Sequence, residues 1–424
     1  MIDVKNILQA TNNQVEKNYS KIISLEHRKK FAQFFTPFQL ASLMADWLLG
    51  NQELKTVLEP AFGLGIFTRA LLSKKSDLLI KGFDIDETIL SEAKAIFSDF
   101  PNIELLLEDY MFNDWNNKYD GIICNPPYFK FHDYDNKIIL NEIENHLNIK
   151  LNGFTNLYTL FLLKSIYQLN SNGRVAYIIP SEFLNSDYGK LVKSALIKNK
   201  VLRHIVVFDF EENVFDDALT TACILLCSND KHNQKVKFTT IKKIDDLEQI
   251  KNYILRYPHN NADDSTISIS DLEPEIKWRK YYQKQNGIRY KNLIPFSSVA
   301  KVVRGIATGA NEYFTFSKSK ANQYGIDEKY LLPCICKAVD VKDNFFTNDN
   351  FNTLVNNDRQ AFLLNAIGSQ DESVLKYIEL GETTGIDKKY LTSCRTPWYS
   401  LENRPPSPIW VSVFNRSGLK FIRN

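Results

Sequence analysis

Between Thr56 and Cys227, short β-branched or apolar runs alternate with segments of helical periodicity. The runs that we predict to be strands lie at 56–58, 79–83, 103–107, 121–124, 174–179, 205–208 and 222–227. Strands separated by helical crossovers form a parallel, doubly wound sheet with helices on both faces. The last two runs lie too close together for a crossover helix, which predicts that the final strand is antiparallel. The sequence therefore predicts a seven-stranded, mostly parallel α/β domain.

The chain is long enough for about two domains, with 424 residues of which 44% are hydrophobic and 24% charged. This composition excludes wholesale disorder and a coiled-coil rod. Lys and Arg total 52 against 50 Asp and Glu, so the overall charge indicates neither nucleic acid nor membrane as a partner. The six cysteines lack histidines at ligand spacing, so we expect buried thiols and no metal site.

The α/β alternation weakens after about residue 235. We predict a first domain at 1–245 with a short helical extension at 1–30, a connecting segment at 246–290, and a mixed α/β domain at 291–424. The N-terminus lacks the pattern of a signal peptide. The most apolar segment, 157–163, is far shorter than the roughly 20 residues that span a bilayer. We therefore expect a cytoplasmic location and no membrane partner.

Acidic residues follow the first three predicted strands. Glu59 precedes a Gly-x-Gly turn at 63–65, and such a turn lets a ligand approach the backbone at the start of a helix. A dinucleotide-binding fingerprint would have a third glycine where Thr68 stands. Asp84 ends the second strand at a spacing that suits hydrogen bonds from ribose hydroxyls. Asp109 at the third strand end is placed to accept from an adenine amine, so the series predicts an adenosine-containing cofactor.

The sequence Asn125-Pro126-Pro127-Tyr128 directly follows the fourth apolar run. Consecutive prolines at the end of a buried strand make a rigid turn, and Pro126 restricts Asn125 to extended conformations. The turn presents two acceptors, the amide oxygen of Asn125 and the carbonyl of Pro126, beside the aromatic face of Tyr128. Two converging acceptors suit a planar amine.

With these residues in order, the chain resembles the gamma-class (Taq-type) adenine-N6 DNA methyltransferases of restriction–modification systems. The matching blocks are 34–37, 58–65, 83–86, 108–110 and 125–128. The resemblance implies an S-adenosyl-L-methionine-dependent methyltransferase fold with a C-terminal target-recognition domain. It also implies that the cofactor contacts Thr36, Pro37, Glu59, Ala61, Gly63, Asp84, Ile85, Asp109 and Asn125. Within that set Thr36 and Pro37 border the methionine end, and Ile85 packs on the adenine.

The resemblance further implies that a flipped-out adenine is bound at Asn125, Pro126 and Tyr128. Phe215 matches the aromatic block that holds the target base against Tyr128, although Phe208 or Phe210 are alternatives because Asp216-Asp217-Ala218 departs from the pattern. Hydrogen bonds from the amine to Asn125 and Pro126 localise the nitrogen lone pair, without a metal or a covalent intermediate. Asn at the first position favours adenine over cytosine as the target.

The basic, aromatic run 277–291 contains no carboxylate and suits contacts with DNA phosphates. The glycine-containing segment 301–314 is similar to one in target-recognition domains of this group. The predicted DNA contacts are Lys277, Arg279, Lys280, Arg289, Arg304 and Asn311. Double-stranded DNA is therefore the predicted partner.

Related proteins generally continue beyond a segment such as 404–416, so we expect the recognition domain to be incomplete or to be completed by another polypeptide. A cognate restriction endonuclease is a second predicted partner. Two alternatives remain at this point: methylation of ribosomal RNA or of a protein glutamine, and a DNA-binding specificity subunit without catalysis.

Overall fold

The computed structural model describes residues 12–129, 136–149, 156–209, 222–232, 234–243, 246–259, 266–282, 294, 296–402, 404–411 and 420–424. The chain divides into two compact units, Met1–Arg289 and Tyr290–Asn424. The expected Phe210, Phe215 and Arg289 lie outside the described residues. No described helix is long and apolar enough to cross a membrane.

A nine-stranded sheet of order β3-β2-β1-β4-β5-β7-β6-β8-β9 organises the larger unit. Its strands are β1 (Thr56–Glu59), β2 (Leu79–Asp84), β3 (Ile103–Leu107), β4 (Tyr119–Cys124), β5 (Leu169–Pro180), β6 (Leu202–Phe208), β7 (Ala222–Ser228), β8 (Lys235–Ile241) and β9 (Thr266–Ser268). Strands β1 to β5 are parallel, whereas β7 is antiparallel to both β5 and β6. The predicted doubly wound sheet and its antiparallel last strand are confirmed, and β8 and β9 extend the predicted seven strands.

Helices cover both faces of this sheet. They are α1 (Gln14–Ile22), α2 (Leu25–Lys30), α3 (Phe38–Leu49), α4 (Ile66–Leu72), α5 (Glu87–Ile96), α6 (Asn136–Leu147), α7 (Leu157–Tyr167), α8 (Gly189–Lys198), α9 (Leu247–Arg256) and α10 (Arg279–Tyr282). Successive side chains of a strand point to opposite faces. Accordingly Ile122 of β4 belongs to the hydrophobic cluster under α6, α7 and α8, and Ile123 belongs to the cluster under α3, α4, α5 and α9.

The segment 246–290, which we expected to connect two domains, contributes secondary structure to the larger unit. Helix α9 buries Ile250 and Ile254, which are four residues apart and therefore lie on one face of the helix. Strand β9 then pairs antiparallel with β8 at the edge of the sheet. Burial of this apolar face, together with the edge pairing, makes the segment part of the α/β unit.

The smaller unit is a mixed α/β structure, as predicted for the C-terminal domain. A three-stranded antiparallel sheet of order β10-β12-β11 comprises β10 (Thr315–Phe316), β11 (Leu331–Pro333) and β12 (Phe362–Leu364), and a second sheet pairs β13 (Ile409–Val411) with β14 (Phe421–Arg423). Its helices are α11 (Asn311–Phe314), α12 (Lys318–Tyr324), α13 (Asn348–Asn356), α14 (Glu372–Thr383) and α15 (Tyr390–Ser393). Phe314, Phe316 and Val374 are fully buried in its core.

Candidate active site

The predicted cofactor residues of the strand ends meet in one cavity at the carboxyl ends of β1, β2, β3 and β4. Its volume is about 930 Å³ when the solvent at its mouth is included. The lining includes Thr36, Glu59, Ala61, Gly63, Asp84, Ile85, Asp109 and Asn125. Parallel strands place their carboxyl ends at the same edge of a sheet, which is why residues from distant parts of the sequence converge here.

Two glycines shape the turn between β1 and α4. Gly63 and Gly65 have φ values of 55° and 68°, in the left-handed region that favours glycine. A Cβ on Gly65 would lie 2.5 Å from the Phe97 ring and 2.7 Å from the Phe62 ring. The backbone nitrogen of Gly63 donates to Asp84 Oδ2 at 2.9 Å, which joins the turn to the end of β2.

Asp84 is held by the backbone at the base of the cavity. Its Oδ1 accepts a hydrogen bond of 3.0 Å from the backbone nitrogen of Asp86, in addition to the bond from Gly63. Burial raises the pKa of Asp84, and these backbone hydrogen bonds act in the opposite direction. The neighbouring Ile85 side chain is 54% exposed although it is apolar, which suits packing against a planar ligand.

Asp109 occupies the end of β3 in a similar way. Its Oδ1 accepts from the backbone nitrogen of Met111 at 2.8 Å, and burial raises the pKa of Asp109. Lys164, which is fully buried on α7, donates hydrogen bonds to the carbonyl oxygens of Tyr110 and Asn113. Lys164 thereby holds the loop that follows Asp109.

Glu59 is 1% exposed, and only one of its two carboxyl oxygens accepts hydrogen bonds from the described residues. Its Oε2 accepts from the backbone nitrogen and the hydroxyl of Thr68 at 3.1 and 2.7 Å, whereas Oε1 has no hydrogen-bond partner among the described residues. Burial raises the pKa of Glu59 to about 8, against these hydrogen bonds from Thr68. A buried carboxyl group with one unused oxygen at the cavity wall suits a cationic ligand group.

The Asn125 side chain is oriented by the segment that precedes α3. Its Nδ2 donates to the carbonyl oxygen of Phe34 at 2.8 Å and to Thr36 Oγ1 at 3.1 Å. Both amide hydrogens are then used, since an asparagine NH₂ group carries two donors. The buried Oδ1 has no partner among the described residues, so it is available to a donor in the cavity.

Tyr128 lies in an aromatic cluster next to Asn125. Its hydroxyl donates to the carbonyl oxygen of Ile178 at 3.1 Å. The Tyr128 ring is nearly parallel to that of Phe34, with 6.1 Å between centroids, and nearly perpendicular to that of Tyr158. Phe208, an alternative to Phe215, is buried in the core at the end of β6 and is not a residue of the cavity.

Some predicted residues do not line the cavity. Pro37 precedes α3, Pro126 is buried, and Tyr128 is not among the lining residues, whereas Pro127 and Phe129 contribute to the lining. No described group of three or more His, Cys, Asp or Glu residues is arranged to hold a metal ion.

One wall of the cavity comes from residues 12–36, which we call the N-terminal arm, and of these residues only Thr36 was predicted to contact the cofactor. Its lining residues are Glu16 and 31–36. Asp86 Oδ2 accepts a hydrogen bond of 2.6 Å from Gln33 Nε2 and lies 2.8 Å from His27 Nε2. These two contacts join the arm to the segment that follows β2.

The predicted DNA contacts occur at the surfaces of both units. Lys277, Arg279 and Lys280 are exposed, but Trp278 between them is fully buried and donates from its indole nitrogen to the carbonyl of Glu273 at 2.8 Å. Trp278 therefore packs in the hydrophobic core and is not a surface residue. In the smaller unit, the exposed Arg304 and Asn311 line one groove, which also includes Lys389.

Comparison with known proteins identifies the family of this chain. Residues 60–215 match the model of the Eco57I restriction-modification methylase, and residues 277–424 match that of the C-terminal domain of the type II methyltransferase M.Eco57I. The type II methyltransferase M.AccI of Acinetobacter calcoaceticus is 65% identical over 421 residues, which are 99% of this chain and 78% of that protein. The type II methyltransferase M.HindII of Haemophilus influenzae is 25% identical over 74% of this chain and 60% of its own length.

Among solved structures, the type IIG restriction endonuclease BpuSI aligns with a TM-score of 0.50 at 14% identity, over 87% of this chain and 47% of that protein. This likeness concerns the fold alone. The prediction of a methyltransferase that uses S-adenosyl-L-methionine is confirmed by the family match together with the fold. The chain belongs to the Eco57I restriction–modification methylase family of type II methyltransferases.

Proposed function

We propose that this chain methylates the exocyclic N6 amine of an adenine that is flipped out of double-stranded DNA, within a restriction–modification system. The observation that carries the proposal is the amide of Asn125. Its nitrogen is held by Phe34 and Thr36, and its buried oxygen, which has no partner in the described part of the chain, belongs to a residue that lines the cofactor cavity. An acceptor so fixed needs no reorganisation when a substrate amine arrives.

The residues of this turn act on the nucleophile. An adenine amine is a weak nucleophile because its lone pair is delocalised into the ring. When Asn125 Oδ1 and the carbonyl oxygen of Pro126 accept its two N–H groups, the lone pair becomes localised on the nitrogen. The contribution of these residues is therefore positioning and polar preorganisation.

S-adenosyl-L-methionine supplies the electrophilic methyl group when it is bound. The cavity fits this cofactor because its polar groups match the cofactor's parts. Glu59 suits the ammonium group, Asp84 the ribose hydroxyls, and Asp109 with Ile85 the adenine ring.

Base flipping follows from the depth of the site, since an amine inside a stacked duplex cannot reach a buried acceptor. Stacking of the base on Tyr128 offsets part of the unstacking cost, and Phe215 is the proposed second aromatic contact. Proposed phosphate and base contacts are Lys277, Arg279, Lys280, Arg289, Arg304 and Asn311. A cognate restriction endonuclease, and a polypeptide that completes the recognition domain, are the further proposed partners.

The test is to incubate the protein with labelled cofactor and, in parallel, double-stranded DNA, ribosomal RNA and protein substrates. We expect N6-methyladenine in DNA. Asn125→Ala should lower the rate of methylation about 100- to 1000-fold, while the exposed Asn116→Ala should have no effect. Label only in RNA or protein, or near-normal methylation by Asn125→Ala, would overturn the proposal.

A further inference from the structure

Glu16 is a buried carboxylate of the N-terminal arm that has no role in the function proposed above. It is 2% exposed, and it lines the cavity together with Glu59 and Thr36. Its Oε1 pairs with the guanidinium of Arg69 on α4, whereas its Oε2 has no hydrogen-bond partner among the described residues. A buried and half-satisfied carboxylate is costly unless a further donor completes its coordination.

Glu16 and Glu59 both lie near the guanidinium of Arg69. Arg69 is fully buried, and its positive charge lowers the pKa of both Glu16 and Glu59 against the larger, raising effect of burial. Two carboxylates therefore share one guanidinium at this end of the cavity. Each of these carboxyl groups lines the cavity and keeps one oxygen without a partner among the described residues, so an ammonium group bound in the cavity would supply the missing donors.

The arm holds Glu16 firmly against the cavity. Asn13, at the start of α1, donates from Nδ2 to the carbonyl of Thr36 at 2.8 Å and accepts at Oδ1 from the backbone nitrogen of Phe38 at 2.9 Å. One turn after Glu16, Tyr19 packs edge-on against Phe35. Helix α1 is thus fixed to the same segment that orients Asn125, and Glu16 is presented from a rigid element.

We propose that Glu16 is a ligand of the methionine end of S-adenosyl-L-methionine and binds its α-ammonium group together with Glu59. The N-terminal arm is then part of the cofactor site. This inference rests on the cofactor of the proposed function and adds a binding residue to it.

The test measures binding, not catalysis, with three ligands that differ at the methionine end. S-adenosylmethionine and S-adenosylhomocysteine carry the ammonium group, whereas 5′-methylthioadenosine lacks the amino-acid end. Glu16→Gln keeps an oxygen acceptor for Arg69 and removes the charge. We expect its dissociation constants for the first two ligands to rise about 10- to 100-fold, with that for methylthioadenosine unchanged within about twofold.

Glu26→Gln is the matched control, because Glu26 is exposed on α2 of the same arm; all its affinities should equal those of the wild type. Unchanged affinities in Glu16→Gln, or an equal loss for all three ligands, would overturn the assignment of Glu16 and leave the proposed function intact. If the wild-type protein bound none of the three ligands, the proposed function itself would fail. The thermal midpoint of each variant reports whether the fold is retained.

Discussion

The side-chain nitrogen of Asn125 donates a hydrogen bond of 3.1 Å to the hydroxyl oxygen of Thr36, although the two residues are 89 positions apart. The same nitrogen donates to the carbonyl of Phe34 at 2.8 Å. The segment before α3 thereby sets the direction of the Asn125 oxygen. Two sequence blocks that are separate in the chain act as one unit in the structure.

Replacing Thr36 by Val should disturb this unit without changing the volume of the side chain. The Asn125 amide loses one of its two acceptors, so its oxygen is less well oriented. We expect the single-turnover rate of DNA methylation, at saturating cofactor, to fall about fivefold to tenfold. Thr36→Ser keeps the hydroxyl and should remain within about twofold of the wild-type rate. A wild-type rate in Thr36→Val would show that this hydrogen bond does not orient Asn125.

Glu59 should make cofactor binding depend on pH. Burial raises its pKa to about 8, so below that pH the carboxyl group is protonated in the cofactor-free protein. An ammonium group binds the ionised form, so binding releases a proton. We expect the affinity for S-adenosylmethionine to increase, by up to about tenfold per pH unit, towards pH 8 and then level off. Calorimetry in buffers of different ionisation enthalpy measures both the affinity and the released proton.

Glu59→Gln should abolish this part of the pH dependence. The same raised pKa has a consequence for stability: the contribution of the protonated carboxyl group is fully present below its ordinary pKa near 4.5 and is lost as the pH rises through about 8. Denaturation of the cofactor-free protein should therefore show a smaller decrease in stability over this range in the Gln variant. An equal pH dependence in both proteins would assign the titration to another group.

The two glycines of the β1–α4 turn should differ in their tolerance of alanine. Gly63→Ala meets only the Ile89 side chain at 3.8 Å, so its cost is that of the left-handed backbone, about 1 to 2 kcal/mol. Gly65→Ala adds overlap with Phe62 and Phe97, for a further cost of about 1 to 3 kcal/mol. Thermal unfolding should rank the proteins as wild type, Gly63→Ala and Gly65→Ala in order of falling stability. The opposite order of the variants would contradict this reading of the turn.

Trp278 and Lys277 are adjacent, but we expect Trp278 to contribute to stability and Lys277 to contribute to DNA binding. Because Trp278 is fully buried, Trp278→Ala should lower the free energy of unfolding by about 3 to 5 kcal/mol. Lys277 is exposed, so Lys277→Ala should leave stability unchanged and weaken binding to all DNA sequences alike. The salt dependence of DNA affinity should decrease by about one ion in that variant. An unchanged salt dependence would remove Lys277 from the DNA interface.

Much of the geometry of the candidate site could be predicted because it depends on strand ends. Glu59, Asp84 and Asp109 each follow a short apolar run, and parallel strands bring such positions to one edge. The rigid turn at Asn125 was recognisable for the same reason, since two prolines leave little conformational choice.

Residues whose roles depend on contacts distant in sequence were not predictable. Nothing near Glu16 in the sequence shows that its helix lies against α4, or that Arg69 is its partner. Similarly, Trp278 lies in a basic run whose composition is typical of an exposed surface. The packing of this segment on the sheet nevertheless buries the Trp278 side chain. Segment 246–290 belongs to the larger unit because the apolar face of α9 packs on it. Two apolar residues at i, i+4 spacing are too short a pattern to show in the sequence which surface the helix packs against.

The doubly wound sheet, the strand-end carboxylates and the Asn-Pro-Pro-Tyr turn could be predicted from the sequence, because these features depend on local periodicity and on backbone restrictions. Only the tertiary structure shows that the side-chain oxygen of Asn125 has no partner among the described residues, that Glu16 and Glu59 both lie near Arg69, and that the N-terminal arm forms one wall of the cavity. Those features depend on hydrogen bonds and ion pairs between segments that only burial brings together, where each unpaired polar atom is costly.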